Sequence, residues 1–211
     1  MVPLFVLVLG IVGAQAQCSN DCFCIPGRLE TPKSQCSVPD AFRNFNITPN
    51  YLPVPPQNFL EAPFSSVDVN LGTFISPLRI IDPDTFSFGN GNANKLYTLI
   101  AIDIDSPTNL PRHNRGFVNL LAMNLPSTLD FCSGHIIVPF TPAFPQIGTG
   151  LHRVIALVYE QERPINTEDI NLYRLARTRI ITRIADFAET YRLGNPLAGN
   201  FFTTQLNYCN N

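Results

Sequence analysis

Asp103 stands at the end of an apolar segment, where its carboxylate needs a partner. Residues Tyr97–Ile102 are typical of a buried strand, and the polar motif Asp103-Ile104-Asp105-Ser106-Pro107 follows them directly. Because alternate residues of a strand point to the same side, Asp103 shares an otherwise apolar face with Tyr97 and Ala101. An ionised carboxylate taken out of water without a partner is costly in free energy. We therefore expect a cation, a hydrogen-bond donor or a ligand beside Asp103.

His152 stands at the entrance of a second apolar strand, Leu151–Tyr159, and shares a face with Val154 and Val158. The proline-bearing loop Thr141–Ile147 comes shortly before it in the chain. On residue types alone, a polar turn at Asp103 and a structural histidine explain both residues more simply than a shared site does.

The elements that would position these residues are mostly short strands interrupted by glycine and proline. Two short helices are predicted, over Pro39–Phe45 and Arg183–Arg192, and a long loop-rich passage over Asn124–Gly150. This pattern indicates a mainly β protein, a sandwich with a few short peripheral helices. The predicted strands are Ser65–Leu71, Thr85–Phe88, Tyr97–Ile102, Phe117–Met123, Leu151–Tyr159 and Asn200–Leu206.

Composition limits the classes of function. A chain of 211 residues with 45% hydrophobic residues has room for one well-buried domain and a small appendage. The net charge is −2, and no cluster of lysine and arginine is interleaved with aromatic residues. Nucleic-acid binding is therefore not expected.

The amino terminus predicts export. Residues 1–16 form an uncharged apolar segment that ends in Ala14-Gln15-Ala16, a small-x-small cleavage pattern of a signal peptide. A membrane anchor is the alternative, but the apolar run is shorter than the roughly 20 residues that a spanning helix needs. We expect a secreted, extracellular protein, with residues 17–39 as a cysteine-rich extension and residues 40–208 as the main domain.

The cysteines favour disulfides, because their number is even and the chain is predicted to be exported. We predict that the first four pair among themselves and that Cys132 pairs with Cys209, although sequence leaves 15 pairings open. A zinc site is disfavoured, since the spacing is not that of a zinc finger. Asn46-Ile47-Thr48 is an acceptor for N-linked sugar. The six cysteines are Cys18, Cys22, Cys24, Cys36, Cys132 and Cys209.

Several motifs together resemble the phosphatidylethanolamine-binding protein family. They are the acidic motif at 103–107, Gly148-Thr149-Gly150-Leu151-His152-Arg153, Leu157–Gln161 and Leu193–Phe202, in the family's order and spacing. The resemblance implies an antiparallel β-sandwich with a small pocket for phosphate or phosphorylethanolamine head groups. No cofactor or metal is implied.

The resemblance also implies roles for individual residues. Asp103 and His152 match two pocket positions, and Pro107 matches the proline that closes the acidic motif. Asp105 is expected to be structural, bonding backbone donors or Arg115.

Some pocket positions depart from the family. Asn119 replaces a second pocket histidine, Phe117 replaces a tryptophan, and the loop Pro142–Gln146 brings Phe144 beside Pro145, where Phe144 is expected to fill part of the ligand space. A neutral amide donates a weaker hydrogen bond to phosphate than a protonated histidine does. We therefore predict weak binding that strengthens as His152 takes up a proton.

A second class of function is an extracellular interaction protein. The family includes serine-protease inhibitors and regulators of signalling partners, so a protease or a receptor is a possible partner, and we expect the chain to be a monomer. An enzyme is not expected, because Ser133 and His135 lack an orienting acid and no G-x-S-x-G motif occurs. A metal site from Asp103, Asp105, His113 and His152 is conceivable but has no characteristic spacing.

Overall fold

One large sheet organises the fold. The computed structural model describes residues 36–64, 67–80, 85–89, 91–106 and 115–206. Four long strands form the middle of the sheet: β5 (Leu96–Asp103), β6 (Gly116–Leu125), β8 (His152–Gln161) and β10 (Ala198–Thr204). They lie in the order β10-β8-β5-β6, and each neighbouring pair is antiparallel.

Short elements complete the sheet and cover it. Strand β1 (Asn58–Phe59) and strand β4 (Thr73–Phe74) pair in parallel with β10, whereas β7 (His135–Val138) and β9 (Ile180–Ile181) pair with β6. Strands β2 (Pro63–Phe64) and β3 (Val67–Asp68) form a separate pair. The helices are α1 (Val38–Asn44), α2 (Ile170–Thr178) and α3 (Ile184–Thr190), with 3₁₀ turns at Pro77–Arg79 and Phe131–Ser133.

The central strand β5 is buried on both faces, so it contributes to two hydrophobic cores. Ile100 and Ile102 point into a core that also contains apolar residues of the three helices. Tyr97, Leu99 and Ala101 point into the second core, which the segments between residues 60 and 88 cover. Burial on both faces explains why β5 reads as a nearly continuous apolar run.

The buried amide of Asn200 ties the covering segments to β10. Its Oδ1 accepts hydrogen bonds from the backbone N–H groups of Leu71 and Phe201, at 2.9 and 2.8 Å. Its Nδ2 donates to the carbonyls of Leu60 and Val69, at 2.8 Å each. Every bonding group of this amide thus has a backbone partner, which fixes two irregular segments against the sheet.

The mainly β architecture predicted from the sequence is confirmed. The long strands and the first and last helices lie within a few residues of their predicted bounds. The prediction missed α2, a mostly polar helix that buries only Leu172 and Leu175, and it missed β7 inside the supposed loop. It also extended two strands too far, because only Val67–Asp68 and a single bridge at Ser87 are formed there.

One predicted disulfide is wrong in this structure: Cys132 is a free, exposed cysteine. Cys36 is half-buried and packs against the core beside α1. The signal segment 1–16 and the other four cysteines, at 18, 22, 24 and 209, lie outside the described residues, so those predictions stay untested. Asn46 is exposed at the end of α1, and its glycosylation also stays a prediction. Within the part of the chain that the structure describes, no helix has the length and apolarity needed to cross a membrane.

Candidate functional site

Asp103 and His152 meet at one end of the central strands. Asp103 lies opposite Val154 in the β5–β8 register, which places His152 one diagonal step away on the same face. The His152 Nδ1 atom lies 2.8 Å from Oδ2 and 3.1 Å from Oδ1 of Asp103. The partner expected beside this carboxylate is therefore the histidine.

The pair is almost completely buried. Asp103 is 3% and His152 is 1% exposed. Burial raises the pKa of Asp103 above its ordinary value of 3.8, and the hydrogen bond from His152 partly opposes that rise. A proton shared between carboxylate and imidazole leaves the pair with no net charge, so His152 does not present an uncompensated cation.

Of the two partners expected for Asp105, a backbone donor is present and Arg115 is not the ion-pair partner, because both the backbone N–H and the guanidinium that bond Asp105 belong to Arg153. Its carboxylate accepts bonds from Nε and Nη2 of Arg153, at 2.8 and 2.7 Å, and from the Arg153 backbone N–H, at 2.9 Å. Arg153 Nη1 also donates to the carbonyls of Phe45 and Asn46. The backbone N–H of Asp105 donates to Oδ1 of Asp103, at 3.0 Å, so this bidentate ion pair helps to orient the pocket carboxylate.

Asn119 supports the site from behind and does not line the cavity, contrary to its predicted role as a ligand donor. The β5–β6 register shifts between Ala101 and Ile102, and Asn119 is the extra residue of that bulge. Its Oδ1 accepts from the backbone N–H of Asp103 at 3.0 Å, and its Nδ2 donates to the carbonyl of Thr141 at 2.8 Å. Asn119 thus links the carboxylate-bearing strand to the loop that forms the cavity wall.

A cavity of about 280 Å³ opens beside the pair. It is lined by Asp103, His152, Ser106, Phe117 and the loop segment 141–146, and we refer to it as the Asp103 cavity. The structure thus brings together five of the predicted ligand-binding residues: Asp103, Phe117, Phe144, Pro145 and His152. Pro107 lies outside the described residues.

The aromatic residues form the wall and rim of the Asp103 cavity. Phe144 lines the cavity and is 59% exposed, so more than half of its surface faces solvent. Phe117 forms a wall, and the guanidinium carbon of Arg179 lies 5.9 Å from its ring centroid. Arg179 is held by the carbonyls of Val118 and Pro139, so a fixed cation stands behind this wall.

The Thr149 hydroxyl forms a hydrogen bond with the second ring nitrogen of His152. Its Oγ1 lies 2.9 Å from His152 Nε2, and the same hydroxyl donates to the carbonyl of Gln146 at 2.7 Å. A hydroxyl has only one proton, so when that proton points to Gln146 the histidine must donate from Nε2. The carboxylate–imidazole pair then holds the proton that keeps it neutral.

The order of hydroxyl, imidazole and carboxylate is also found in hydrolases. Here, however, the Thr149 hydroxyl has a second acceptor, the carbonyl of Gln146 at 2.7 Å, whereas an activated nucleophile donates its proton to the base. The expectation that the chain is not an enzyme stays a prediction. Among the described residues, no group of three histidine, cysteine, aspartate or glutamate side chains could hold a metal ion, and His113 lies outside them.

Sequence reasoning missed Thr149, Arg153 and Arg179 as residues of the site. Thr149 and Arg153 belong to the motif that contains His152, so the spacing of that motif was an available signal. Thr149 precedes the histidine by three residues, across a turn in which its N–H also bonds Gln146 at 3.2 Å. Arg179 follows α2, which the sequence pattern did not show.

Comparison with known proteins gives a consistent assignment. The profile of the family described as phosphatidylethanolamine-binding protein matches residues 80–202, more than half of the chain. A 26 kDa secreted antigen of Toxocara canis is 28% identical over 166 residues, which cover 78% of this chain and 63% of the relative. The chain thus spans less than two thirds of that relative's length.

Solved structures share the fold. A carboxypeptidase Y inhibitor, solved in complex with its cognate proteinase, superposes with a TM-score of 0.62 at 18% identity, covering 79% of this chain and 93% of the inhibitor. A phosphatidylethanolamine-binding protein from Plasmodium vivax gives 0.62 at 15% identity, covering 79% of this chain and 96% of that protein. At such identities the likeness shows the fold alone.

Proposed function

The chain belongs to the phosphatidylethanolamine-binding protein family, and we propose that it is an exported binding protein that holds a phosphorylated head group in the Asp103 cavity. The observation that carries the proposal is the convergence of Asp103 and His152, which are 49 residues apart in sequence, on one cavity. Export is supported by the secreted relative and by the signal pattern of residues 1–16.

The size and charge of the cavity favour a small phosphorylated ligand. Its volume of about 280 Å³ lies just below the roughly 300–1,000 Å³ that is usual for ligand pockets, so it suits a head group better than a whole lipid. The Asp103–His152 pair is neutral when it holds its proton and negative when it loses it. A phosphate oxygen is therefore repelled less, and finds a donor on Nε2, in the protonated state.

Binding should strengthen as the pH falls. Among the described residues, the charged groups with a contact to the site besides Asp103 and His152 are Asp105, paired with Arg153, and Arg179 beside Phe117. A charged hydrogen bond contributes about 1.5–3 kcal/mol against about 1 for a neutral one, so loss of the proton should weaken binding by roughly 2- to 30-fold.

Calorimetric titration with phosphorylethanolamine and with inorganic phosphate, at pH 5.5 and 7.5, tests this proposal. The wild-type protein should bind phosphorylethanolamine more tightly at the lower pH, and His152→Gln should remove both the binding and its pH dependence. His135→Gln is the matched control, because His135 is an exposed histidine of the edge strand β7. Equal heats for all three proteins at both pH values would reject the proposal. Tighter binding of inorganic phosphate than of phosphorylethanolamine would identify a free anion as the better ligand.

A second candidate function is protein binding through the loop Thr141–Ile147, which lies beside the Asp103 cavity. Phe144 and Ile147 are 59% and 41% exposed on this loop, and a protein of the same fold is a carboxypeptidase Y inhibitor. Inhibition assays against serine proteases, including a serine carboxypeptidase, test this candidate. Inhibition that Phe144→Ala abolishes and His152→Gln leaves intact would favour it, whereas no inhibition would leave head-group binding as the sole proposal.

A further inference from the structure

We propose that Thr149 competes with the ligand for His152 and thereby sets the affinity of the Asp103 cavity. This inference rests on the proposed function, because it concerns the same cavity and the same phosphorylated ligand. It assigns a role in setting affinity to a side chain that does not itself line the cavity.

The donors of His152 are both engaged in the ligand-free protein. Nδ1 is bonded to Asp103 at 2.8 Å, and Nε2 is bonded to Thr149 Oγ1 at 2.9 Å. With 1% of the residue exposed, the imidazole has no unoccupied N–H to offer. A phosphate oxygen can bond Nε2 only after it displaces the Thr149 hydroxyl.

The structure favours displacement of Thr149 over displacement of Asp103. Asp103 is fixed by the N–H of Asp105 and carries the charge that its bond to the imidazole needs. Thr149 offers a neutral hydroxyl and lies between Gly148 and Gly150, both at φ +86° in the left-handed region that favours glycine. A Cβ at either glycine would meet nothing within 4 Å, so there is open space beside both glycines.

Binding exchanges the neutral Thr149 bond for a bond to a charged phosphate oxygen. Charge-assisted bonds are the stronger kind, so the exchange favours the ligand, but the lost Thr149 bond lowers the net affinity. Removing the hydroxyl should remove that opposing contribution. In Thr149→Val the free protein loses the bond while the complex does not, so affinity should rise about fivefold, the equivalent of one neutral hydrogen bond.

Titration of phosphorylethanolamine into wild type, Thr149→Val, Thr149→Ser and Thr190→Val tests the inference. Thr149→Ser keeps the hydroxyl and should bind like wild type. Thr190→Val is the matched control, because the Thr190 hydroxyl also donates to a backbone carbonyl at 2.7 Å but lies on α3. Unchanged or weaker binding by Thr149→Val, with binding by the wild type intact, would overturn the competition.

A ligand-free measurement separates this inference from the proposed function. The His152 imidazole N–H should give a slowly exchanging proton signal in the NMR spectrum of the wild type and of Thr149→Ser, and the signal should exchange faster in Thr149→Val. If the wild type and Thr149→Val both fail to bind phosphorylethanolamine, the proposed function fails. If Thr149→Val leaves the exchange of this proton unchanged, the competition fails, whatever the ligand.

Discussion

Replacing Arg153 by glutamine should destabilise the fold, because Arg153 connects three separate segments. Its guanidinium bonds the Asp105 carboxylate through two nitrogens and reaches the carbonyls of Phe45 and Asn46 after helix α1. A glutamine keeps much of the length of the side chain but loses the charge and most of these donors. The Asp105 carboxylate would then lie partly buried without its counter-ion.

The magnitude follows from how buried the pair is. The side chains of Arg153 and Asp105 are 26% and 22% exposed. Breaking a buried pair costs about 3–5 kcal/mol, whereas an exposed pair contributes about 0–1. We expect a loss of about 2–3 kcal/mol in the free energy of unfolding, between these limits. For a domain of this size that corresponds to a fall in Tm of roughly 5–10 °C.

Urea unfolding followed by tyrosine fluorescence and circular dichroism measures this change, since the chain has six tyrosines and no tryptophan. The matched control is Arg43→Gln, which breaks an Asp40–Arg43 pair of 2.8 Å whose side chains are 54% and 55% exposed. This control should change the free energy of unfolding by less than about 0.5 kcal/mol. Equal effects of Arg153→Gln and Arg43→Gln would refute the reasoning, because burial would then not govern the strength of the pair.

Three further substitutions test the packing around the site. Burial raises the pKa of Asp103 above 3.8, so the contribution of this group to stability is present below that value and is lost as the pH rises through the raised pKa. In urea unfolding, the free energy of unfolding of the wild type should therefore fall relative to that of Asp103→Asn as the pH rises. Gly116→Ala should cost about 1–3 kcal/mol in thermal unfolding, because its Cβ would lie 2.5 Å from a methyl carbon of Ile102, whereas Gly89→Ala, with nothing within 4 Å, should be neutral. Asn200→Leu should lower the free energy of unfolding by about 3 kcal/mol, since it leaves buried backbone groups unpaired; a change below about 0.5 kcal/mol would contradict that role.

The central strands were predictable because their signal is local. Strand β5 is buried on both faces and therefore reads as an apolar run, and its final carboxylate could be recognised as needing a partner. That the partner is His152 depends on β5 and β8 being neighbours in the sheet. Strand order is not a local property, so only the family resemblance brought these two residues together from the sequence.

The roles of Asn119 and Asp105 depend on details that residue types do not contain. One extra residue in the β6 ladder turns Asn119 toward the backbone of Asp103, and a bulge has no sequence signature here. Asp105 was expected to bond backbone donors or Arg115, and the position of Arg153 at the start of β8 brings both a backbone N–H and a guanidinium to it. In both cases the residue type predicted a hydrogen-bonding capacity, and the tertiary structure decided which group received it.

The mutual neutralisation of Asp103 and His152 changes how this cavity can attract a phosphate. A lone protonated histidine would attract an anion by its charge, and salt would screen that attraction. Here the carboxylate at 2.8 Å cancels that charge, so under the proposed function we expect affinity to come from directed hydrogen bonds and from the more distant Arg179. The strength of directed hydrogen bonds depends on which acceptor each donor is bonded to, and the Nε2 atom of His152 is already bonded to Thr149. Under the proposed function, we therefore expect the strength of binding to depend less on the net charge of the pocket than on the competition for a single imidazole N–H.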